Sequence, residues 1–203
     1  MDEIVVRSML KWPDVPSVYG WLRLDRRGNW LVKGRAVRDG KPLFERISNA
    51  AVIEFIGRNY ARDGSGRCFF QNGPQRVFVS LDYTPNVFRL DDRASGFVGH
   101  HGRAPQRIER GFLDEAGALV LETDLGAGVV ADRDLAGVLE QLAGENGEAI
   151  DAEALHAEVT AGRARRVRLF GRPLEIFPLV AADAPARFGF VADPRPAPGE
   201  PEC

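Results

Sequence analysis

The chain contains little cysteine: two residues among 203, Cys68 and Cys203. Their positions form no Cys-x-x-Cys or similar pattern, so the sequence predicts neither a metal site nor a disulfide framework. Cys68 adjoins Phe69 and Phe70, and this apolar context predicts a buried, unreactive thiol. Cysteines of this kind are typical of a reducing compartment, and we expect a cytoplasmic protein.

Long apolar runs are also missing. No stretch approaches the length that spans a bilayer, and the first residues, Met1-Asp2-Glu3, are acidic where a secretory signal is basic. Lysine occurs only as Lys11, Lys33 and Lys41, and the net charge is −2. Nucleic-acid-binding proteins present a broad basic face. The sequence therefore predicts neither a membrane nor a nucleic acid as partner.

Complete catalytic motifs are absent from the sequence. No serine lies in a Gly-x-Ser-x-Gly context. The segment Gly126-Ala127-Gly128 lacks the third glycine of a dinucleotide site and the Lys-Ser/Thr pair of a P-loop. The sequence thus predicts no cofactor and favours a protein without enzymatic activity.

Histidine is scarce, and two of the three residues are adjacent: His100 and His101, in a glycine-rich segment. With nearby carboxylates such as Asp91 and Asp92, they leave open an alternative, a small hydrolase or a metal-dependent enzyme. Neighbouring side chains of an extended backbone point in opposite directions, so we expect no shared metal ion. His100 and His101 are retained as candidate binding residues.

The sequence does contain an internal repeat. Leu24-Asp25-Arg26-Arg27-Gly28 returns as Leu113-Asp114-Glu115-Ala116-Gly117, 89 positions later. Pro85-Asn86-Val87-Phe88 is matched by Pro173–Phe177, with the two phenylalanines again 89 positions apart. An aspartate three positions before a glycine is typical of a β-turn. We therefore predict two structural copies.

Each copy is predicted to combine strands with a helix. Apolar residues at helical spacing indicate helices over Leu43–Tyr60 and Asp132–Ala143, and Asn72-Gly73 between two alternating runs indicates a β-hairpin. The second copy has a further helical segment, Asp151–Gly162. The predicted fold is α+β with two related halves, each a small antiparallel sheet with a helix packed on one face.

The same pattern sets the predicted domain boundaries. They define an N-terminal lead-in, a first α+β repeat, a glycine-rich linker loop, a second α+β repeat and a disordered proline-rich tail: residues 1–17, 18–90, 91–107, 108–192 and 193–203. A groove between the two halves is then the expected binding site.

Aromatic residues cluster near the first turn. Tyr19, Trp21 and Trp30 flank it, and alternate residues of a strand share a face, so Tyr19 and Trp21 are predicted to lie together. The rings either pack in the core or form an exposed surface for a peptide or small ligand. With His100 and His101, they complete the set of candidate binding residues.

Several segments together resemble a group of bacterial, mainly proteobacterial, proteins of unknown function. They are Trp12-Pro13, Leu22–Asp25 with Gly28 and Trp30, and the hairpin from Asn72 to Leu81. Better-known proteins of this type are built from repeated α/β motifs, and a signalling role has been suggested for them. The resemblance implies a cytoplasmic accessory or regulatory protein, and it carries over no catalytic residue.

Binding rather than catalysis is the function that these observations predict. A non-catalytic binding or regulatory module, with an unknown small molecule or protein as partner, is consistent with the missing motifs and the duplicated architecture. An exposed strand edge on either sheet would also allow a homodimer.

Overall fold

A computed structural model describes residues 1–199 of the chain. The chain divides into two units. The first unit combines residues 1–82 with the segment that starts at Gly189, and the second comprises residues 83–188.

The first unit contains a six-stranded sheet and two helices. Its elements are α1 (Glu3–Lys11), β1 (Val18–Leu24), β2 (Trp30–Arg38), β3 (Lys41–Arg46), α2 (Ala50–Arg58), β4 (Tyr60–Arg62), β5 (Cys68–Asn72) and β6 (Gln75–Leu81). The strand order is β3-β2-β1-β6-β5-β4. The side chain of Asn49 starts α2 by accepting the N–H of Val52. Phe55 of this helix then packs edge-on against Phe70 of β5.

The second unit contains an eight-stranded sheet. Its strands are β7 (Asn86–Leu90), β8 (Phe97–Gly99), β9 (Ile108–Asp114), β10 (Leu119–Thr123), β11 (Gly126–Val130), β12 (Leu142–Ala143), β13 (Arg165–Leu169) and β14 (Arg172–Leu179). Its helices are α3 (Leu135–Glu140), α4 (Ala152–Thr160) and α5 (Ala184–Phe188). The strand order is β12-β13-β14-β9-β10-β11-β7-β8. Val138 of α3 and Val159 of α4 share one core cluster with Leu121 and Ile176 of the sheet.

The two sheets repeat one topology. Strands β1 to β6 correspond, in chain order, to strands β9 to β14, and corresponding strands have corresponding neighbours in the two sheets. The second sheet has β7 and β8 in addition, beside β11. Asp25 and Asp114 match in atomic detail, because each carboxylate accepts the N–H groups two and four positions later. Gly28 and Gly117, three positions on, both have a φ of +80°. The predicted fold class, α+β with two related halves, is confirmed.

Both sheets are mixed, whereas the sequence predicts antiparallel ones. The pairs β1–β6, β9–β14 and β7–β11 are parallel, and the other neighbours are antiparallel. Four strands and at least one helix lie between β1 and β6 and between β9 and β14. This connection is long enough to return the chain to the same end of the sheet.

The division into units differs from the predicted boundary. Strand β7 pairs with β11, and β8 pairs with β7, so residues 83–107 belong to the second unit. The predicted linker, 91–107, therefore contains a strand of the second sheet. Phe88 and Phe177 are not equivalent in the repeat, since Phe88 lies in the added strand β7 and Phe177 lies in β14.

The C-terminal segment returns to the first unit. The N–H of Val191 donates to the carbonyl of Gly66 (3.0 Å), and the N–H of Leu81 donates to the carbonyl of Ala192 (2.7 Å). The first four residues after Phe188 thus extend the first unit, although the sequence assigns them to the second repeat.

The predicted disordered tail, residues 193–203, is in contact with the first unit at its start. Asp193 accepts a hydrogen bond from the hydroxyl of Ser80 (3.0 Å). Residues 200–203 lie outside the described residues.

Helices are short in this protein. The helices α1, α2 and α4 span nine residues each, and α1 occupies part of the predicted lead-in, residues 1–17. Within residues 1–199, no helix has the length and apolar character needed to cross a bilayer.

Candidate functional site

His100 lies in the tight loop that follows β8 and packs on β7. The N–H of His100 donates to the carbonyl of Val87 (2.8 Å), and the N–H of Val87 donates to Nδ1 of His100 (3.2 Å). Because Nδ1 accepts this hydrogen bond, it carries no proton. The buried ring thereby extends the hydrogen bonding of β7.

His101 connects the same loop to the β10–β11 hairpin. The N–H of Arg103 donates to Nδ1 of His101 (3.1 Å), which leaves the proton on Nε2, 3.1 Å from Oδ1 of Asn86. The Asn86 amide is oriented in turn, since its Nδ2 donates to the carbonyls of Leu125 (3.0 Å) and Ala127 (3.2 Å). His101 is therefore held by partners at both ring nitrogens.

Both histidines are neutral in the folded protein. Burial, helped by nearby His101 and Arg103, lowers the pKa of His100 well below its usual value of 6.5. Burial and the Arg103 guanidinium lower the pKa of His101 to about 4. Asp91, a candidate partner carboxylate, instead accepts two backbone N–H groups of its own turn. This arrangement is that of structural histidines and does not favour the enzyme alternative.

Cys68 is buried in β5, as its apolar neighbours predict. Burial raises the pKa of its thiol to about 11. The thiol is therefore protonated at neutral pH and is a weak nucleophile. Across residues 1–199, no group of three or more His, Cys, Asp or Glu side chains is placed to hold a metal ion.

Among the aromatic candidates, Tyr19 and Trp30 are core residues and Trp21 is exposed. The exposed fractions are 6%, 1% and 48%, respectively. Tyr19 stacks on Phe78, with 4.6 Å between the ring centroids. The pairing of β1 with β6 is irregular around Gly20, whose φ is +69°. Beyond this irregularity Trp21 faces solvent, and the Lys33 ammonium lies 5.2 Å from the centroid of its ring.

A cavity of about 340 Å³ lies within the second unit. Its floor is formed by side chains of the sheet: Leu113, Leu119 and Ile176. Its walls come from α3 and α4, chiefly Leu135, Ala136, Val138 and Leu139 of α3 and Ala152, Glu153, Leu155 and His156 of α4. A concave, mostly apolar lining with few polar groups is typical of small-molecule sites.

The cavity arises where the second repeat departs from the first. Strands β4 and β5 are joined by a short turn, whereas the chain between β12 and β13 contains α4. Asp151 starts this helix, because its carboxylate accepts the N–H groups of Glu153 (2.9 Å) and Ala154 (3.0 Å). Leu155 and Val159 then pack into the core at helical spacing. The gap between α3 and α4 is left open as the cavity.

Two polar side chains line the cavity, Glu153 and His156. Nε2 of His156 lies 3.2 Å from the carbonyl oxygen of Asp114. A carbonyl only accepts, so the imidazole donates from Nε2. Asp114 is itself fully buried, and its carboxylate also accepts the hydroxyl of Tyr83 (2.9 Å). The β9–β10 turn thus holds His156 at one end of the cavity.

Sequence reasoning selected none of the cavity residues as binding residues. The apolar stripe of Leu135, Val138 and Leu139 predicts burial of one helix face. It does not reveal that a second helix packs beside the first and leaves part of that face uncovered. This information exists only in the packing of α4 against the sheet.

Comparisons with known proteins complete this description. The model of the family DUF2944, described as "Protein of unknown function (DUF2946)", matches residues 1–195. No curated protein matches the chain. A solved DUF1285 family protein from Silicibacter pomeroyi DSS-3 shares 16% identity over 83% of this chain and 85% of its own, with a TM-score of 0.45. A DUF1285 family protein from Shewanella baltica OS155 shares 13% identity over 59% of this chain and 87% of its own, with a TM-score of 0.36. The family match confirms the predicted resemblance to proteins of unknown function.

Proposed function

The chain belongs to the DUF2944 family, and we propose that it is a non-catalytic binding module whose second unit binds a small apolar molecule. One observation carries the proposal: the apolar cavity of about 340 Å³ between α3, α4 and the sheet. This volume is within the usual range for ligand pockets, about 300–1,000 Å³.

Ligand binding has a clear driving force at this position. Leu135 and Leu142 line the cavity and are only partly buried in the free protein. A ligand that covers them removes apolar surface from water, which is worth about 25 cal/mol per Å². Binding to the folded state also raises the melting temperature by mass action.

Octanol is a suitable first probe, and we expect it to raise the Tm of the full-length protein in a concentration-dependent way. Ala152→Trp places a large side chain at the cavity wall, so this variant should lose the shift. Ala154→Trp is the matched control, because Ala154 is also exposed on α4 but does not line the cavity. The absence of a shift in the native protein, or equal shifts in the two variants, would contradict the proposal.

The other functional predictions made from the sequence remain predictions. They are the regulatory or signalling role, the cytoplasmic location, the homodimer and a groove between the two halves. In this proposal His100, His101, Tyr19 and Trp30 support the fold, and Trp21 is the candidate contact for a protein partner.

A further inference from the structure

The charges around the cavity indicate the charge of its ligand. From Asp134 to Gly162 the chain carries seven acidic residues and no lysine or arginine. This stretch contains α3, β12 and α4, which supply the cavity walls. The nearest arginines in the sequence are Arg133 and Arg163, just outside it.

Glu153 is the carboxylate that lines the cavity itself. Several other acids of this stretch have partners: Asp151 caps α4, Glu158 pairs with Arg165, and Asp134 accepts the N–H of Leu90. Within residues 1–199, the Glu153 side chain forms no ion pair, and it is exposed at the cavity rim. Its charge is therefore available to a ligand.

We propose that the ligand is an amphiphile with an apolar body and a cationic head group, such as an alkyl amine. This inference rests on the proposed function above. The body of the ligand fills the apolar cavity, and its ammonium group lies beside the Glu153 carboxylate. No lysine or arginine lines the cavity among the described residues, and the Nε2 of His156 is already engaged with the carbonyl of Asp114. An anionic head group would therefore lie beside the Glu153 carboxylate, a charge of its own sign.

Three probes with the same alkyl chain test the inference: octylamine, octanol and octanoate, titrated calorimetrically into the full-length protein. One partly exposed ion pair contributes modestly, so octylamine should bind about threefold to fivefold more tightly than octanol. Octanoate should bind more weakly than octanol. High salt should reduce the preference for the amine, because salt screens exposed charges.

Two glutamine variants identify the carboxylate responsible. Glu153→Gln keeps the size of the side chain and removes its charge, so octylamine and octanol should then bind about equally. Glu54→Gln is the control, since Glu54 is a largely exposed glutamate of α2 in the first unit. This variant should keep the full preference.

Failure of the inference differs from failure of the proposed function. If the three probes bind with equal affinity, the proposed cationic head group is wrong, whereas the cavity still binds apolar molecules. A preference that survives Glu153→Gln also overturns the inference. If none of the three binds, the proposed function itself fails.

Discussion

At the scale of single residues, the buried histidines are hydrogen-bond acceptors for the backbone. Nδ1 of His100 accepts the N–H of Val87, and Nδ1 of His101 accepts the N–H of Arg103. A protonated imidazole has no lone pair for either bond. The loop after β8 therefore requires both rings in their neutral form, and the protonation of these residues is coupled to folding.

Acid should consequently destabilise the protein in the range where histidine titrates. The histidine pKa is about 6.5 in an unfolded chain, whereas that of His101 is about 4 in the folded protein and that of His100 is also lowered. As the pH falls, these histidines are therefore protonated at a higher pH in the unfolded state than in the folded state. The contribution of the neutral histidines to the free energy of unfolding is complete above the histidine pKa of the unfolded chain. It is lost as the pH falls below that value, by about 1.4 kcal/mol per pH unit for each histidine.

Urea unfolding at closely spaced pH values between about 6.5 and 5 measures the slope of the free energy of unfolding against pH. The window lies above the lowered pKa values of Asp2, Asp63 and Asp91, so these carboxylates contribute little to it. His101→Gln should reduce the slope by the contribution of one histidine. An unchanged slope in this variant would contradict the assignment.

At the scale of elements, the two copies share a turn but place it in different surroundings. Asp25 and Asp114 form the same pattern of backbone hydrogen bonds. Asp25 is partly exposed, whereas Asp114 is fully buried and accepts the Tyr83 hydroxyl as well. The two aspartates therefore form the same backbone hydrogen bonds but should contribute differently to the free energy of unfolding.

Asp114→Ala should cost more stability than Asp25→Ala. Removing Asp25 leaves turn N–H groups that water reaches, so we expect a loss of about 1 kcal/mol. Removing Asp114 takes the acceptor from the buried Tyr83 hydroxyl as well as from the turn N–H groups, and we expect about 3 kcal/mol. Urea unfolding of both variants measures the difference. Asparagine at either position supports the same turn and should retain more stability than alanine. Equal losses in the two alanine variants would be inconsistent with this account.

The predicted helix over Leu43–Tyr60 is too long, and the reason lies at the same scale. Strand β3 includes Phe44, which pairs with Lys33 of β2, and α2 starts only at Ala50, after the Asn49 cap. Apolar spacing over a short segment fits a strand edge as well as a helix. In contrast, the Asn72-Gly73 hairpin is confirmed, because turn chemistry is local. The helix predicted over Asp151–Gly162 is found as α4, Ala152–Thr160, with Asp151 as its N-cap.

At the scale of the whole molecule, the chain leaves the first unit at Asp82 and re-enters it at Gly189. The returning segment contributes backbone hydrogen bonds to Gly66 and Leu81 and the buried side chain of Phe190. The first unit is thus completed by residues that follow the second unit in sequence.

Deleting residues 189–203 should therefore destabilise the first unit. The loss of one buried phenylalanine and of the backbone hydrogen bonds of its segment is expected to cost about 3 kcal/mol or more. Tryptophan fluorescence reports on this unit alone, because Trp12, Trp21 and Trp30 all belong to it. A shorter deletion, of residues 196–203, keeps Phe190 and should change the fluorescence transition far less. Similar transitions in the two truncated proteins would contradict this prediction.

The sequence by itself determined the duplication, the α+β class, the repeated turns and the family resemblance. These features depend on residues close together in the chain, where aspartate and glycine specify a turn and apolar spacing specifies a buried face. Only the tertiary structure decided the unit boundary, the neutral state of His100 and His101, and the cavity between α3 and α4. Each of these depends on contacts between distant segments: β7 with β11, Asn86 with Ala127, and α4 with the sheet. Such contacts leave no fixed spacing in a single sequence, since they form only when the folded chain brings the segments together.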